Sequence, residues 1–198
     1  LATLALFRGF DSLWAGGNQI NAEQVPAAWL DMTGLDIFGV KLVVIIVVAI
    51  MIIASFMLNR TTIGRELFAT GSNPDGAALI GIPVKTRIFT AFGVSGLLAG
   101  LCGVLFASRY ATVDARMASG YELTVIASAV VGGVAIRGGA GTLFGVALGA
   151  ITLLVIRNGL TLVRVDPLWL QAVYGLVILA AITIDAIIVK RSLRAGKH

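Results

Sequence analysis

Four stretches of this 198-residue chain contain no charged side chain: Leu42–Leu58 (17 residues), Ile88–Ser108 (21), Gly138–Ile156 (19) and Pro167–Ile184 (18). At 1.5 Å per residue, helices of these lengths cover roughly 25–32 Å, the thickness of a hydrocarbon core. Only helices and closed barrels satisfy every backbone polar group in lipid, and runs this long and apolar are helical in character. The rest of the composition agrees. Hydrophobic residues make up 58% of the chain and charged residues 13%, with a mean hydropathy of +0.98. A soluble domain carries about a quarter charged residues, and a disordered chain is poor in apolar ones. The fold class predicted is therefore all-α, a polytopic transmembrane helical bundle forming a single membrane-embedded domain over residues 1–198.

A fifth apolar run, Leu123–Ile136, has 14 residues. It is either a span that borrows Tyr121 and Glu122 or a half-helix buried among its neighbours. Leu1–Phe7 reads as the end of a preceding span, and the chain lacks an initiator Met. The expectation is an N-terminally truncated chain with about five full or partial spans. No signal-peptide pattern is visible.

Lys and Arg orient the spans. Arg60, Arg65, Lys85 and Arg87 lie in Asn59–Arg87, Arg137 follows the short run, and Lys190, Arg191, Arg194 and Lys197 lie in the tail. Alternating crossings put all nine on one face, read as cytoplasmic, with the C-terminus among them. The other face receives Gly16–Lys41, Arg109–Glu122 and Arg157–Asp166, and most of the acids. Trp14, Trp29 and Trp169 fall near that outer edge with Tyr110 and Tyr121, as half of an aromatic belt would. The net charge of +5 is thus topological. It is not a nucleic-acid surface, which would interleave basic and aromatic residues.

Little in the sequence suggests chemistry. One cysteine, Cys102, and one histidine, His198, leave no disulfide and no usual zinc site. Gly93-Val-Ser-Gly96 has the form of an intramembrane nucleophile turn, but no span supplies a histidine to activate Ser95. Gly138-Gly-Ala-Gly-Thr-Leu-Phe-Gly145 lacks the Gly-Lys-Ser/Thr ending of a phosphate loop. No span has a central acid for ion coupling or a charged ring for a channel. The chain reads as a non-enzyme without cofactor or metal.

Two patterns remain. In the basic loop, Ser72 or Asn73 suits a helix N-cap, Pro74 the first helical position, and Asp75 the positive helix end. Gly76, Ala77, Ala78, Leu79 and Ile80 follow, with Gly81 as a C′ residue and Pro83 as a stop. This specifies a helix of about two turns between spans, either resting on its own protein or docking a cytoplasmic partner. The second pattern is small residues at helical spacing: Gly141, Gly145 and Gly149 on one predicted span, Gly96 and Gly100 on another. These allow close helix packing in lipid or line a path for a moving solute. Ser119-Gly-Tyr-Glu122 reads as a capping box opening the short run. Gly16–Leu35 reads as a polar loop with a short helix around Pro26–Met32.

Together these segments resemble the permease subunit of bacterial ABC importers of the ribose, rhamnose and autoinducer uptake group. The similarity lies in Arg60-Thr-Thr-Ile-Gly-Arg65, Ala69-Thr-Gly-Ser-Asn73 and Ala77-Ala-Leu-Ile-Gly-Ile82. It continues in Gly120-Tyr-Glu-Leu123, in Ile126-Ala-Ser-Ala-Val-Val-Gly132-Gly133, and in Gly138-Gly-Ala-Gly-Thr142 leading to Gly145. The resemblance implies an inner-membrane subunit that moves a monosaccharide-like solute by alternating access. It implies three partners: an ATP-binding cassette ATPase, a periplasmic or lipoprotein substrate-binding protein, and a second permease subunit in a homo- or heterodimer. It also implies that Asn73–Gly81 is the coupling helix. Apart from the resemblance, Gly132, Gly133, Gly141, Gly145 and Gly149, with Gly96 and Gly100, are read as helix packing or a solute path. The alternatives from the residues are a secondary carrier of a small neutral solute and a non-transport membrane scaffold.

Overall fold

The computed structural model describes residues 2–16, 18, 21, 23, 26, 29, 34–37, 39–114, 118–164, 169, 172–176, 179–180 and 183. Helix α1 is Ala2–Trp14, followed by a minimal antiparallel hairpin, β1 (Asp36–Ile37) and β2 (Val40–Lys41). Then come α2 (Leu42–Arg60), α3 (Thr62–Ser72), α4 (Pro74–Leu79), α5 (Val84–Tyr110), α6 (Tyr121–Val131) and α7 (Leu143–Leu162). Among the described residues, α2, α5 and α7 are long and apolar enough to cross a membrane. The protein is a helical, multi-pass membrane protein. The basic tail, Asp185 and most of Pro26–Met32 lie outside the described residues.

The described residues gather into two compact units. The first comprises Leu1–Ile53 and Phe89–Ser119. In it, Leu105, Ala107 and Ser108 are buried on α5, and the Ser108 hydroxyl donates to the Trp29 carbonyl at 2.7 Å. That bond ties Trp29 to the end of α5. On α1, Phe10 and Trp14 meet edge-on with ring centroids 5.6 Å apart. With Phe7, Arg8, Asp11 and Ser119 they line a cavity of about 520 Å³.

The second unit comprises Ala54–Ile88 and Gly120–His198. Its core is Ala127 on α6, Leu153 on α7 and Tyr174, with Ile156 against them. Helices α6 and α7 form a tight antiparallel pair, and glycines set their separation. A Cβ on Gly132 would stand 2.5 Å from the Gly145 carbonyl oxygen. One on Gly145 would overlap the Gly132 carbonyl oxygen, and one on Gly149 the Ser128 carbonyl oxygen.

Several elements differ from the sequence expectation. The helix expected from Gly138 starts at Leu143. Gly138, Gly139 and Gly141 have φ of +90°, +77° and +150°, conformations that side chains disfavour, so the glycine run turns instead of coiling. Thr142 then caps α7, its Oγ1 accepting from the Gly145 N–H at 3.1 Å. Gly141 therefore leaves the shared face with Gly145 and Gly149 and sits against Val134. At its other end α7 runs on through Arg157 and Asn158, which the charge count had placed in an outer loop. The capping box is absent: α6 starts at Gly120 in the left-handed region, with no side-chain cap bond. Its eleven residues make α6 about 16 Å long, shorter than a hydrocarbon core is thick. It ends in a Schellman motif, with Gly133 (φ +83°) as C′ and Val134 N–H donating to Ala129 C=O at 3.0 Å.

Candidate functional site

The basic segment between α2 and α5 holds two helices where the sequence indicated one. Thr61 builds the corner from α2 into α3. Its hydroxyl donates to Met57 C=O at 2.6 Å and accepts from Gly64 N–H at 3.2 Å. The turn is so close that a Cβ on Gly64 would overlap the Leu58 backbone. The signal for α3 was present in Thr61 as a cap and in Ile63, Leu67 and Phe68 at near-helical spacing. The preceding long run obscured it. Glu66 on α3 and Arg87 on α5 pair through Oε2 and Nε at 2.5 Å, which fastens α3 to the start of the next long helix.

Helix α4 forms as its residues dictate. The Asn73 side chain accepts from Gly76 N–H at 3.0 Å, Pro74 takes the first position and Asp75 lies in the first turn. Gly81 (φ +86°) closes it, with Gly81 N–H to Ala78 C=O and Ile82 N–H to Ala77 C=O, both 3.1 Å. Replacing Asn73 with alanine removes the cap and should cost about 1 kcal/mol. The check is a lower melting temperature in detergent with unchanged helix content of the long spans.

The faces of α4 are unlike. Ala77 is 4% exposed, Leu79 89% and Ile80 76%, while Ala78 and Asp75 are also open. Ala77 thus seats the helix on its own unit, and the apolar Leu79–Ile80 tip stands free of it. Gly76 is not part of that open face, because a Cβ there would meet the Asn73 side chain at 2.9 Å.

Of the expected glycines, Gly132, Gly145 and Gly149 come together between α6 and α7. Gly133 ends α6, and a Cβ there would meet no described atom within 4 Å. Gly96 and Gly100 on α5 have no atom within 4 Å of a built Cβ among the described residues. A Cβ would thus meet main chain at Gly132, Gly145 and Gly149 and no described atom at Gly96 and Gly100. Sequence reasoning missed a further contact, between Gly71–Ser72 at the end of α3 and the Gly138–Gly139 turn. It also missed Thr70, whose buried hydroxyl has no partner among the described residues. Burying a hydroxyl unpaired is costly, and valine has nearly its shape. Thr70→Val should raise stability by about 1 kcal/mol, read as an upward melting shift.

No group of three or more His, Cys, Asp or Glu able to hold a metal occurs among the described residues.

Residues 1–182 match the family model described as branched-chain amino acid transport system / permease component. The chain belongs to that permease family. Curated relatives match along the full chain. It is 33% identical over 201 residues to the autoinducer 2 import system permease protein LsrC of Escherichia coli O9:H4 (strain HS), covering 100% of this chain and 58% of that protein. It is 32% identical to the LsrC of Salmonella typhimurium (strain LT2), again over 100% of this chain and 57% of the relative. The permease chain thus spans less than two thirds of the length of the relatives it matches. No solved structure matches it.

Proposed function

We propose that this chain forms the membrane-embedded permease of an ATP-driven importer for a small polar solute, a monosaccharide or a related sugar-like molecule. The family match over residues 1–182 carries the reading. The relatives named as autoinducer 2 import permeases support the solute class. In this reading residues 1–198 act as one permease domain in the bacterial inner membrane with the C-terminus cytoplasmic. The excess of Lys and Arg on the segments containing α3–α4, Arg137 and the tail supports that orientation.

The permease hydrolyses nothing. An ATP-binding cassette ATPase supplies the energy, a periplasmic or lipoprotein binding protein delivers the solute, and a second permease subunit completes the path. Asn73, Pro74, Asp75, Gly76, Ala77, Ala78, Leu79 and Gly81 form the coupling helix. Its seated Ala77 and free Leu79–Ile80 tip suit a short helix that gains its stability from a cleft on a partner, since six residues are marginal alone. Gly132, Gly145 and Gly149 hold α6 against α7. Gly133, Gly141, Gly96 and Gly100 act at the end of α6, in the turn before α7 and along α5. Binding of ATP draws the coupling helices together, and the spans alternate between two packings around the path.

Co-purification tests the reading. The permease extracted in mild detergent should bring down a nucleotide-binding subunit, and uptake of labelled ribose or autoinducer 2 should stop when that subunit's ATP site is inactivated. Uptake that persists without the ATPase would replace the importer with a carrier.

A further inference from the structure

Helix α4 is joined to α3 through a single residue. Asn73 ends α3, its N–H donating to Ala69 C=O at 3.0 Å, and also starts α4, its C=O accepting from Ala77 N–H at 2.9 Å. With its side chain also on Gly76 N–H, it leaves little freedom for α4 to tilt apart from the last turn of α3. That last turn meets the α6–α7 turn backbone to backbone. A Cβ on Gly71 would lie 2.7 Å from Gly139 N, and one on Gly138 would lie 2.8 Å from the Gly71 oxygen. One on Gly139 would lie 2.6 Å from both Ser72 Cα and Ser72 Cβ. Three glycines on the two sides thus bring main chains together with almost no side chain between.

The far side of the joint is equally constrained. Ala135 N–H donates to Ala140 C=O at 3.0 Å and closes the turn. The Schellman motif of α6 and the Thr142 cap of α7 hold its ends. Behind them Gly132, Gly145 and Gly149 lock α6 to α7. Beside the joint lies a cavity of about 280 Å³ lined by Leu58, Leu67, Phe68, Val134 and Val146. Side-chain packing between α3 and the turn is therefore incomplete, and the glycine contact is the firm one. A side chain can absorb a displacement by changing rotamer, whereas main chain in contact with main chain must move with it.

We propose that Gly71, Gly138 and Gly139 form a rigid joint that passes displacement of α4 to the α6–α7 pair. They are then positioning residues for coupling, and the short helix α6 is the element that responds to the ATPase. The proposal rests on the importer reading, and it adds which helices receive the motion and through which atoms. It requires a contiguous set of contacts whose two ends are biased together.

The test uses the full-length permease reconstituted with its ATPase and binding protein, with labelled ribose and autoinducer 2 as probes. Gly71→Val wedges the joint apart while leaving the α4 tip untouched. The ATPase should co-purify at the wild-type ratio, but stimulation of hydrolysis by loaded binding protein and uptake should both fall at least tenfold. Wild-type stimulation and uptake in this variant would overturn the proposal. A second measurement leaves the three glycines unaltered. In the reconstituted wild-type complex, amide hydrogen exchange of the turn between α6 and α7 should change on adding ATP together with that of α4. Asn73→Gly, which removes the side-chain tie between α3 and α4, should abolish the change in the turn. Exchange in the turn that ignores ATP, or that responds equally in Asn73→Gly, overturns the joint. Absence of the ATPase from the wild-type preparation would instead remove the importer reading on which the joint depends.

Discussion

Ala78→Trp should reduce uptake to background while the permease inserts at its normal level. Ala78 is exposed beside Leu79 and Ile80 on the free face of α4, outside the long apolar helices. An indole there touches none of the described core of Ala127, Leu153 and Tyr174, so stability should hold within about 0.5 kcal/mol. Under the proposed importer reading, it obstructs entry of a small-residue helix into a cleft on the ATPase. The measurements are membrane abundance, co-purification of the ATPase subunit and uptake. Loss of the last two at normal abundance is the expected pattern. Normal uptake would mean that α4 merely rests on the protein surface. Gly76→Trp is less informative, because it strikes the Asn73 cap before it reaches any partner.

Leucine at Gly145 or Gly149 should disrupt the α6–α7 pair more severely than any surface change. Even a methyl group at either position overlaps a backbone oxygen of the facing helix, Gly132 at one and Ser128 at the other. Backbone cannot swing aside as a flexible side chain does, so the helices must separate and the Ala127–Leu153–Tyr174 core must open. Overpacking costs about 1–3 kcal/mol, and exposing part of that core adds to it. The expected result is aggregation on extraction or a melting temperature lowered by several degrees. The internal contrast is Gly100→Ala, where a Cβ meets no described atom within 4 Å. There the better helix propensity of alanine should leave stability equal or slightly higher. Equal tolerance at Gly145 and Gly100 would mean that α6 and α7 do not pack through this face.

The contrast between these glycines marks where sequence reasoning stopped. Gly96 with Gly100 and Gly145 with Gly149 have the same four-residue spacing, and spacing identifies a smooth helix face without saying whether anything lies on it. Position in three dimensions separated them, since α6 crosses the second pair and no described residue reaches the first. Gly141 shows the same limit in another form. Its spacing from Gly145 presumed one continuous helix, while the positive φ at Gly138, Gly139 and Gly141 turns the chain and starts the helix at Leu143. The Ser119–Glu122 box matched a local signature, yet Gly120 in the left-handed region started α6 instead.

Features governed by local chemistry were legible from the residues alone. The long apolar runs over α2 and α5 demanded membrane-length helices, because transfer of so many Val, Ile and Leu side chains from water dominates every other term. Asn73, Pro74 and Gly81 bounded α4, because caps act within one turn of the backbone. Tertiary structure alone decided that Ala77 faces inward while Leu79 and Ile80 face out, and that Gly71 meets Gly138 and Gly139. The glycine contact joins segments more than sixty residues apart in sequence, where the missing side chain of a glycine records only that something was able to come close.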